Sequence, residues 1–367
     1  MASESRKADA PTKSAPTQRA HRGPVGGSAG SLYVRNAWYV ASWKEDLGPE
    51  APVAVTILGE RIVLWRSAGR VMAFEDRCIH RLAPLSRGRC EGANLRCMYH
   101  GLLFNTEGQV VEIPGQPNVP PDARVRSFPV FQQASWIWVW MGDPALADEA
   151  LIPPAIALDD PDWMMGRGQI DYEAEARLIN DNLLDFSHFA FVHEQSLKTN
   201  RSHAEHVPNV SPMPRGVRFQ SWREPDGAAA EHWNEHTYII PGILFSQSAT
   251  FPAGTGAACD RGFPDLALAT HIQVACQAVT PTGERTARYF FSFGVHRRFG
   301  DEAWLAKMMA TLDQAYAEDK AMIEAQQKII DATPVPRIMP TAHDRGVIMF
   351  NQQVAALVRE ERSTLGF

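Results

Sequence analysis

The sequence contains no long run of apolar residues. No stretch approaches the ~18 consecutive apolar residues that a membrane-spanning helix needs. Residues 1–30 are rich in Ala, Ser, Pro, Gly and basic residues and lack the apolar middle of a secretory signal. We therefore expect a protein without membrane contacts and a disordered tail over residues 1–30.

Cysteine is scarce, and its number is odd. An unpaired set of five cysteines without a signal peptide favours reduced thiols and a cytoplasmic location. Three of the five, Cys78, Cys90 and Cys97, lie within twenty residues of one another. In a reducing compartment such clustering indicates a metal site more often than a disulfide.

The sequence also lacks an excess of positive charge and a nucleotide-binding fingerprint. Its 36 Lys and Arg residues are outnumbered by 42 Asp and Glu residues, so no basic face for nucleic acid is predicted. No G-x-G-x-x-G motif follows a strand-like segment. The sequence therefore predicts no dinucleotide-binding site in this chain.

What is present is the composition of a globular protein, with 45% hydrophobic and 21% charged residues. A Pro- and acid-rich segment, ALADEALIPPAIALDDPDW, separates a strand-rich first half from a mixed second half. We predict an α+β protein with an all-β domain at 31–148. A catalytic domain of antiparallel sheet plus helices, helix-grip-like, is predicted at 149–367.

Local patterns assign most of the elements. VAVTILGERIVLWR and RVMAFED predict antiparallel strands with breaks at Gly59-Glu60 and Ala68-Gly69. SWIWVWMGDP predicts a strand whose three tryptophans, at period two, belong to the core. Residues 210–296 look like further strands, NDNLLDFSHFAFVH looks helical, and residues 302–330 form a long predicted helix.

The clearest motif is a pair of Cys/His loops. Cys78-x-His80 is followed after sixteen residues by Cys97-x-x-His100. Two thiolates and two imidazoles are the ligand set of a [2Fe–2S] centre in which two His replace two Cys on one iron. A Cys2His2 zinc site is the alternative, although such sites usually keep the Cys pair together and the His pair together.

With CIHRLAPL and CMYHG, the chain resembles the Rieske non-haem iron oxygenases. VRNAWYVASW and VVEIPGQPNVPP are similar to segments of the short aromatic O-demethylases and methyl-monooxygenases in that family. The resemblance runs from Asn36 onward and implies that Cys78, His80, Cys97 and His100 bind the cluster. Respiratory Rieske proteins carry two further cysteines, where this chain has Ala83 and Tyr99, and Cys90 is predicted to be a bystander thiol.

A second set of ligands lies in NDNLLDFSHFAFVH. Asn182, Asp185 and His188 recur at i, i+3 and i+6, on one stripe of a helix. His193 lies well round the helix axis and can approach His188 only if the helix bends or ends nearby. Two imidazoles and one carboxylate form the facial triad of non-haem Fe(II) oxygenases, which leaves positions open for O₂.

The third ligand is predicted on the long final helix. Its apolar stripe is expected to include Leu305, Met308, Met309, Leu312, Ala315, Tyr316, Met322 and Ile323. Asp319 lies on this stripe, whereas Glu318 and Glu324 are expected to be solvated. A carboxylate that faces a core requires a cation or a metal, and a salt bridge to an arginine is the alternative. The resemblance favours iron held by His188, His193 and Asp319.

The resemblance also implies roles for two further residues. Asp185 would link an imidazole of one subunit's cluster, on His100 or His80, to the mononuclear iron of the next, in a head-to-tail homotrimer. From the residues alone, Asp185 could instead orient His188 within its own chain. Asn182 matches a family position close to the iron.

Together these features predict the terminal oxygenase of a monooxygenase system. It would use O₂ and electrons from a ferredoxin and/or flavin reductase to demethylate, dealkylate or hydroxylate an aromatic compound. A ring-dihydroxylating dioxygenase α subunit and a pure electron-transfer protein are the alternatives. Phe245, Cys276 and Gln277 are predicted to line the pocket, but no residue that would recognise an acidic group can be located from the sequence.

Overall fold

A computed structural model describes residues 33–199, 201–205, 207–223, 229–335 and 338–365. The predicted disordered tail, residues 1–30, lies outside these ranges and stays a prediction. No helix within the described ranges is both long and apolar enough to cross a membrane. The chain is 36% strand and 27% helical, and its antiparallel sheets confirm the α+β class.

The first half consists of short strands in three antiparallel sheets. The strands are β1 (Trp38–Trp43), β2 (Val53–Ile57), β3 (Glu60–Ser67), β4 (Arg70–Glu75), β5 (Arg89–Glu91), β6 (Asn94–Arg96), β7 (Leu103–Phe104), β8 (Val110–Glu112), β9 (Val130–Gln133) and β10 (Trp136–Trp140). The sheet orders are β1-β10-β9, β2-β3-β4 and β5-β6-β7-β8. The all-β character predicted for this half is confirmed.

Two tight turns connect β2, β3 and β4. Leu58 and Gly59 have φ values of 53° and 79°, and Ala68 and Gly69 have φ values of 48° and 80°. Two consecutive residues with positive φ form the hairpin turn that matches the twist of the flanking strands. The second break was predicted at the correct residues, and the first lies one residue earlier than predicted.

The tryptophan strand β10 is buried on both faces. All five of its residues are buried, and Trp136 stacks on Phe245 with ring centroids 6.5 Å apart. Ile137 and Val139 belong to a different apolar cluster from Trp136, Trp138 and Trp140. The predicted core role of the tryptophans is confirmed, and this strand joins the first half of the chain to the second.

A seven-stranded antiparallel sheet forms the centre of the second half. Its strands are β11 (Trp163–Tyr172), β12 (Asn209–Met213), β13 (Gly216–Arg223), β14 (Ala230–Ile239), β15 (Ile243–Pro252), β16 (His271–Pro281) and β17 (Ala287–His296). The order is β11-β17-β16-β15-β14-β13-β12. Neighbours in the sequence mostly pair in space, and β11 joins the edge beside β17.

Helices lie around this sheet. They are α1 (Ala176–Leu183), α2 (Phe189–Val192), α3 (Ser202–Glu205), α4 (Thr255–Ala258), α5 (Glu302–Ala332) and α6 (Arg345–Leu365). Short 3-10 helices occur at Lys44–Asp46, Leu85–Arg87, Pro144–Leu146, Glu149–Leu151, Leu266–Leu268 and Ala342–Asp344. The long helix predicted after Gly300 is α5, which begins where the Asp301 carboxylate accepts the Trp304 N–H.

The predicted apolar stripe of α5 needs one correction. Leu305, Ala315, Tyr316 and Ile323 are buried as expected, but Met322 is 58% exposed. A 3.6-residue repeat carries Met322 to the edge of the stripe, about a quarter-turn from its centre. Helix α5 packs on the sheet through β11 and β17, and this contact positions Asp319.

Helix α6 was not predicted. A capping box between Thr341 and Asp344 precedes it, and Phe350 is fully buried against Tyr238. The Glu361 carboxylate accepts the backbone N–H groups of Arg35 and Asn36, at 2.9 and 2.6 Å. The C-terminal helix is thus tied to the start of the described chain.

Candidate metal centres

The first centre consists of two loops that each begin at a cysteine. The Cys78 carbonyl accepts the Leu82 N–H, and the Cys97 carbonyl accepts the Gly101 N–H. Both cysteines are 1% exposed. Burial and the neighbouring Cys97 raise the pKa of the Cys78 thiol to about 11. The structure therefore brings the two sulfurs together inside the domain.

The two histidines of the motif lie outside this pair. The rings of His80 and His100 are 4.5 Å apart, and both residues are exposed. Buried sulfurs beneath surface imidazoles fit a cluster with one thiolate-bound iron inside and one imidazole-bound iron near the surface. All five cysteines are free, and Cys90 lies half-buried on β5.

A buried aspartate supports these loops, and sequence reasoning missed it. The Asp76 side chain is fully buried and accepts the Ser86 N–H and hydroxyl at 2.7 and 2.8 Å and an Arg61 N–H at 2.9 Å. A buried carboxylate with three donors is well compensated. Its position two residues before Cys78 was the only signal available in the sequence.

The second centre forms where a helix stops. Helix α1 ends at Leu183, and one turn, α2, begins after His188 and ends before His193. The predicted end of the helix is therefore confirmed. Asp185 and His188 follow α1 rather than continuing its stripe, which corrects the single-helix arrangement expected for them. The short turn is what lets both imidazoles face the same point.

His188, His193 and Asp319 converge, with one ligand atom from each lying within 4.8 Å of the others. Asp319 Oδ1 is 3.2 Å from His193 Nε2 and 3.5 Å from His188 Nε2. His193 is almost fully buried and Asp319 is 6% exposed. Burial lowers the pKa of His188, which favours the neutral imidazole that a metal ligand requires. Two imidazoles and a carboxylate fit a non-haem iron.

Glu318 is part of this centre, contrary to its expected solvation. Its Oε2 lies 3.0 Å from Nδ1 of His193 and accepts the Ser196 hydroxyl at 2.6 Å. Burial opposes ionisation, yet the bonds from His193 and Ser196 lower the pKa of Glu318. A carboxylate on Nδ1 leaves Nε2 free for a metal. Glu324 is also not freely solvated, since it accepts the Glu173 N–H at 2.9 Å.

Asn182 and Asp185 flank the centre. The Asn182 amide nitrogen lies 3.2 Å from Asp319 Oδ1 and 3.4 Å from His188 Nε2. Asp185 is half-buried, and its Oδ1 accepts the Ser187 N–H at 2.8 Å. His188 Nδ1 is buried without a hydrogen-bond partner in the described part of the chain. The ligand's outer nitrogen thus remains available beside Asp185.

The predicted pocket residues lie on different faces of the sheet. Phe245 and Cys276 pack in the tryptophan core, and the Cys276 thiol donates to the Ile156 carbonyl. Successive strand residues alternate between faces, so Gln277 lies on the other face, near Tyr316 of α5. This corrects the expectation that Phe245 and Cys276 line the pocket. Only Gln277 shares the face of the metal ligands.

Known proteins match nearly the whole described chain. The Rieske [2Fe-2S] domain model matches residues 37–129, and the vanillate O-demethylase oxygenase C-terminal domain model matches residues 172–360. These segments lie inside the predicted ranges 31–148 and 149–367, whose bounds stay a prediction.

Full-length relatives agree with the domain matches. The iron-sulfur subunit of a toluene-4-sulfonate monooxygenase system from Comamonas testosteroni is 37% identical over 86% of this chain and 94% of its own. The dicamba O-demethylase oxygenase component of Stenotrophomonas maltophilia is 31% identical over 90% of this chain and 99% of its own.

A solved structure shares the fold. Dicamba monooxygenase bound to dicamba superposes with a TM-score of 0.79 and 27% identity over 91% of this chain and 100% of that one. The superposed region includes both candidate metal centres. The chain therefore belongs to the Rieske non-haem iron oxygenases, as the terminal oxygenase component of a monooxygenase system with a [2Fe–2S] cluster and an iron as cofactors.

Proposed function

We propose that this oxygenase oxidises a methyl or other alkyl group carried by an aromatic compound, either releasing it from oxygen or nitrogen or hydroxylating it. The observation that carries the proposal is the convergence of His188, His193 and Asp319 within 4.8 Å of one another, against the large sheet. Relatives named as O-demethylases and as a toluene-4-sulfonate monooxygenase support the alkyl group as the target.

The residues of each centre have distinct tasks in this proposal. Cys78, His80, Cys97 and His100 hold the cluster, and His188, His193 and Asp319 hold the iron. When bound, the iron provides the place where O₂ is activated with electrons delivered through the cluster. Glu318 fixes the tautomer and orientation of His193, and Asn182 donates a hydrogen bond to Asp319.

Asp185 connects the centres of two subunits in this proposal. Its carboxylate has one hydrogen bond, from Ser187, within the described chain, and it lies beside the unpartnered Nδ1 of His188. The exposed rings of His80 and His100 are accessible to such a carboxylate from a neighbouring chain. This arrangement is consistent with a head-to-tail homotrimer.

Electrons come from a separate ferredoxin and/or flavin reductase. The sequence has no nucleotide-binding fingerprint, and the relatives are named as oxygenase components or as subunits of systems. The exposed side chains around the cluster, including Ile79, Leu82, Met98 and Tyr99, give such a partner or a neighbouring subunit an apolar surface to contact.

A single-turnover experiment tests the proposal. Pre-reduced enzyme is exposed to O₂ with methoxylated, N-alkylated and methyl-substituted aromatics, and the products are quantified by mass spectrometry together with formaldehyde. Formaldehyde in proportion to oxidised iron, or a product with one added oxygen, supports alkyl oxidation. A product with two added oxygens and a ring diol would overturn it in favour of ring dihydroxylation.

A further inference from the structure

One charged side chain is buried in the first half of the chain, that of Asp76. Among residues 33–148, which the structure describes, the other buried polar residues are neutral serines. The Asp76 side chain is fully buried. Phe74 and Cys78, two residues away on either side, belong to the apolar cluster that also contains Cys97. A negative charge therefore lies beside the apolar core that holds the two sulfurs.

Asp76 closes the loop that carries two of the proposed cluster ligands. Its Oδ1 accepts the Ser86 N–H at 2.7 Å, and its Oδ2 accepts the Ser86 hydroxyl at 2.8 Å. The loop between these two residues contains Cys78 and His80. Two residues of extended chain span at most about 7 Å, so Asp76 lies close to Cys78.

Arg61 is the counter-ion of Asp76, and it lies on the surface. One guanidinium N–H donates to Oδ2 of Asp76 at 2.9 Å, and the Arg61 side chain is 65% exposed. Water and salt screen an exposed charge much more than a buried one. The positive charge of Arg61 therefore offsets only part of the field that Asp76 produces inside the domain.

Closure of the loop does not by itself require a charge. The amide oxygen of an asparagine could accept the Ser86 N–H as a carboxylate oxygen does. A carboxylate adds a fixed negative charge, and removing that charge from water costs free energy that its hydrogen bonds must offset. The residue type at position 76 therefore indicates an electrostatic role in addition to the hydrogen bonds.

The charge affects the reduction of a cluster held by this loop. One-electron reduction adds a negative charge to a [2Fe–2S] cluster, and the potential of such clusters depends on charge, hydrogen bonds and solvent exposure around them. A buried anion nearby opposes the added electron. It lowers the reduction potential, and the reduced cluster becomes a stronger electron donor.

We propose that Asp76 is a positioning residue of the Rieske centre whose buried charge lowers the reduction potential of the cluster and so favours electron transfer to the mononuclear iron. This inference rests on the proposed assignment of Cys78, His80, Cys97 and His100 to the cluster. The same charge makes the cluster harder for its reductase to reduce. Asp76 thus divides the driving force between the two electron-transfer steps.

The reduction potential of the cluster tests the proposal. It is measured on the holoenzyme by redox titration of the visible spectrum, without O₂ or substrate. Asp76→Asn keeps the shape of the side chain and removes its charge. The equilibrium constant for reduction should rise roughly tenfold, the effect of a unit charge on the order of 10 Å away in a medium of effective dielectric constant about 20. For one electron this is a rise of about 59 mV.

Arg61→Gln should shift the potential in the opposite direction. It removes the positive charge and leaves that of Asp76 unopposed, so the potential should fall, by less than it rises in Asp76→Asn. High salt should reduce the shift caused by Arg61→Gln, because that charge is exposed. This surface substitution should also fold normally, which keeps the proposal testable if Asp76→Asn fails to retain its cluster.

Glu75→Gln is the matched control. Glu75 is the next residue, and its side chain is 26% exposed and paired with Arg77 at 2.7 Å. Because solvent and this ion pair screen its charge, Glu75→Gln should shift the potential less than Asp76→Asn does. A shift at least as large in Glu75→Gln would contradict the role of the buried charge.

An unchanged potential in Asp76→Asn with its cluster intact would overturn the inference, as would shifts of the same sign in Asp76→Asn and Arg61→Gln. A purely structural role for Asp76 predicts no such pair of opposite shifts. Failure of the ligand assignment is recognised separately, by acid-labile sulfide in Cys78→Ala. Full retention of sulfide in that variant would refute the assignment and the inference with it, whereas its loss together with an unchanged potential in Asp76→Asn would refute only the role of Asp76.

Discussion

Oε2 of Glu318 lies 3.0 Å from Nδ1 of His193, while Asp319, the next residue of the same helix, lies 3.2 Å from Nε2 of that imidazole. Two consecutive carboxylates thus contact the two nitrogens of one ring. The outer carboxylate orients the ring, and the inner one completes the ligand set.

Glu318→Gln should weaken iron binding, since a neutral amide makes a weaker hydrogen bond to His193. Loss of a partner of a ligating histidine typically costs about 10- to 100-fold in metal affinity. The affinity for iron is measured by incubating the protein with a chelator. The ratio of mononuclear iron to acid-labile sulfide is followed over time. Glu324→Gln makes the same charge change on the same helix away from His193, and similar iron release from both variants would contradict the role of Glu318.

His188→Ala should remove the mononuclear iron and leave the cluster in place. Because His188 and the cluster residues belong to separate centres, iron should fall while acid-labile sulfide and the visible spectrum of the cluster stay unchanged. Product formation should fall more than about 100-fold. This loss exceeds the one expected when only a residue that hydrogen-bonds to a metal ligand is replaced. Oxygenation that survives without this iron would exclude the site.

Asp185→Asn should slow electron transfer between the two centres without removing the iron or the cluster. A neutral side chain cannot accept hydrogen bonds from two imidazoles as a carboxylate does, so turnover should fall about 10- to 100-fold. Metal and sulfide contents should match wild type. The rate of cluster reoxidation in a single turnover measures the coupling, and Asp181→Asn, four residues earlier, is the control. Unchanged reoxidation in Asp185→Asn would refute an inter-centre role.

His236 should make stability depend on pH. Burial lowers its pKa to about 4, below the ordinary value of 6.5, so the unfolded chain binds the proton more readily. Stability is then full above about pH 6.5 and is lost as the pH falls toward 4, by about 1–2 kcal/mol at pH 5. Urea unfolding midpoints near pH 7.5 and pH 5 measure this loss. In His236→Gln the midpoints at pH 7.5 and pH 5 should differ less than in wild type. The same difference in both proteins would contradict the role of His236 in the pH dependence.

Gly294→Ala should destabilise the large sheet. A Cβ at Gly294 would lie 2.2 Å from the Met164 carbonyl oxygen, and strand pairing with Met165 prevents retreat. Overpacking of this kind costs about 1–3 kcal/mol or more, measurable as a lower urea midpoint. Gly48→Ala is the control, because no atom lies within 4 Å of the added methyl. Equal midpoints for the two variants would mean that β11 and β17 can separate freely.

Much of the architecture follows from local patterns. The hairpins of β2, β3 and β4 are encoded by residues that adopt positive φ between alternating apolar runs, and α5 by a long helical period with an aspartate at its start. Helix α6 was missed although the Thr341–Asp344 capping box was present in the sequence. It is stabilised by packing on Tyr238 and by Glu361, which contacts residues more than 300 positions away.

The sequence by itself determined the chemistry of the two centres, because ligand types and short spacings such as Cys78-x-His80 are local properties. It also determined that Asp319 faces inward, through the period of α5. Only the tertiary structure decided that Glu318 belongs to the iron site, since His193 lies 125 residues before it. Only strand register decided that Cys276 faces the tryptophan core and that Gln277, the next residue, faces α5. Alternation along one strand divides its residues between two faces. It cannot specify which other elements pack against each face, and that packing decides the role of each side chain.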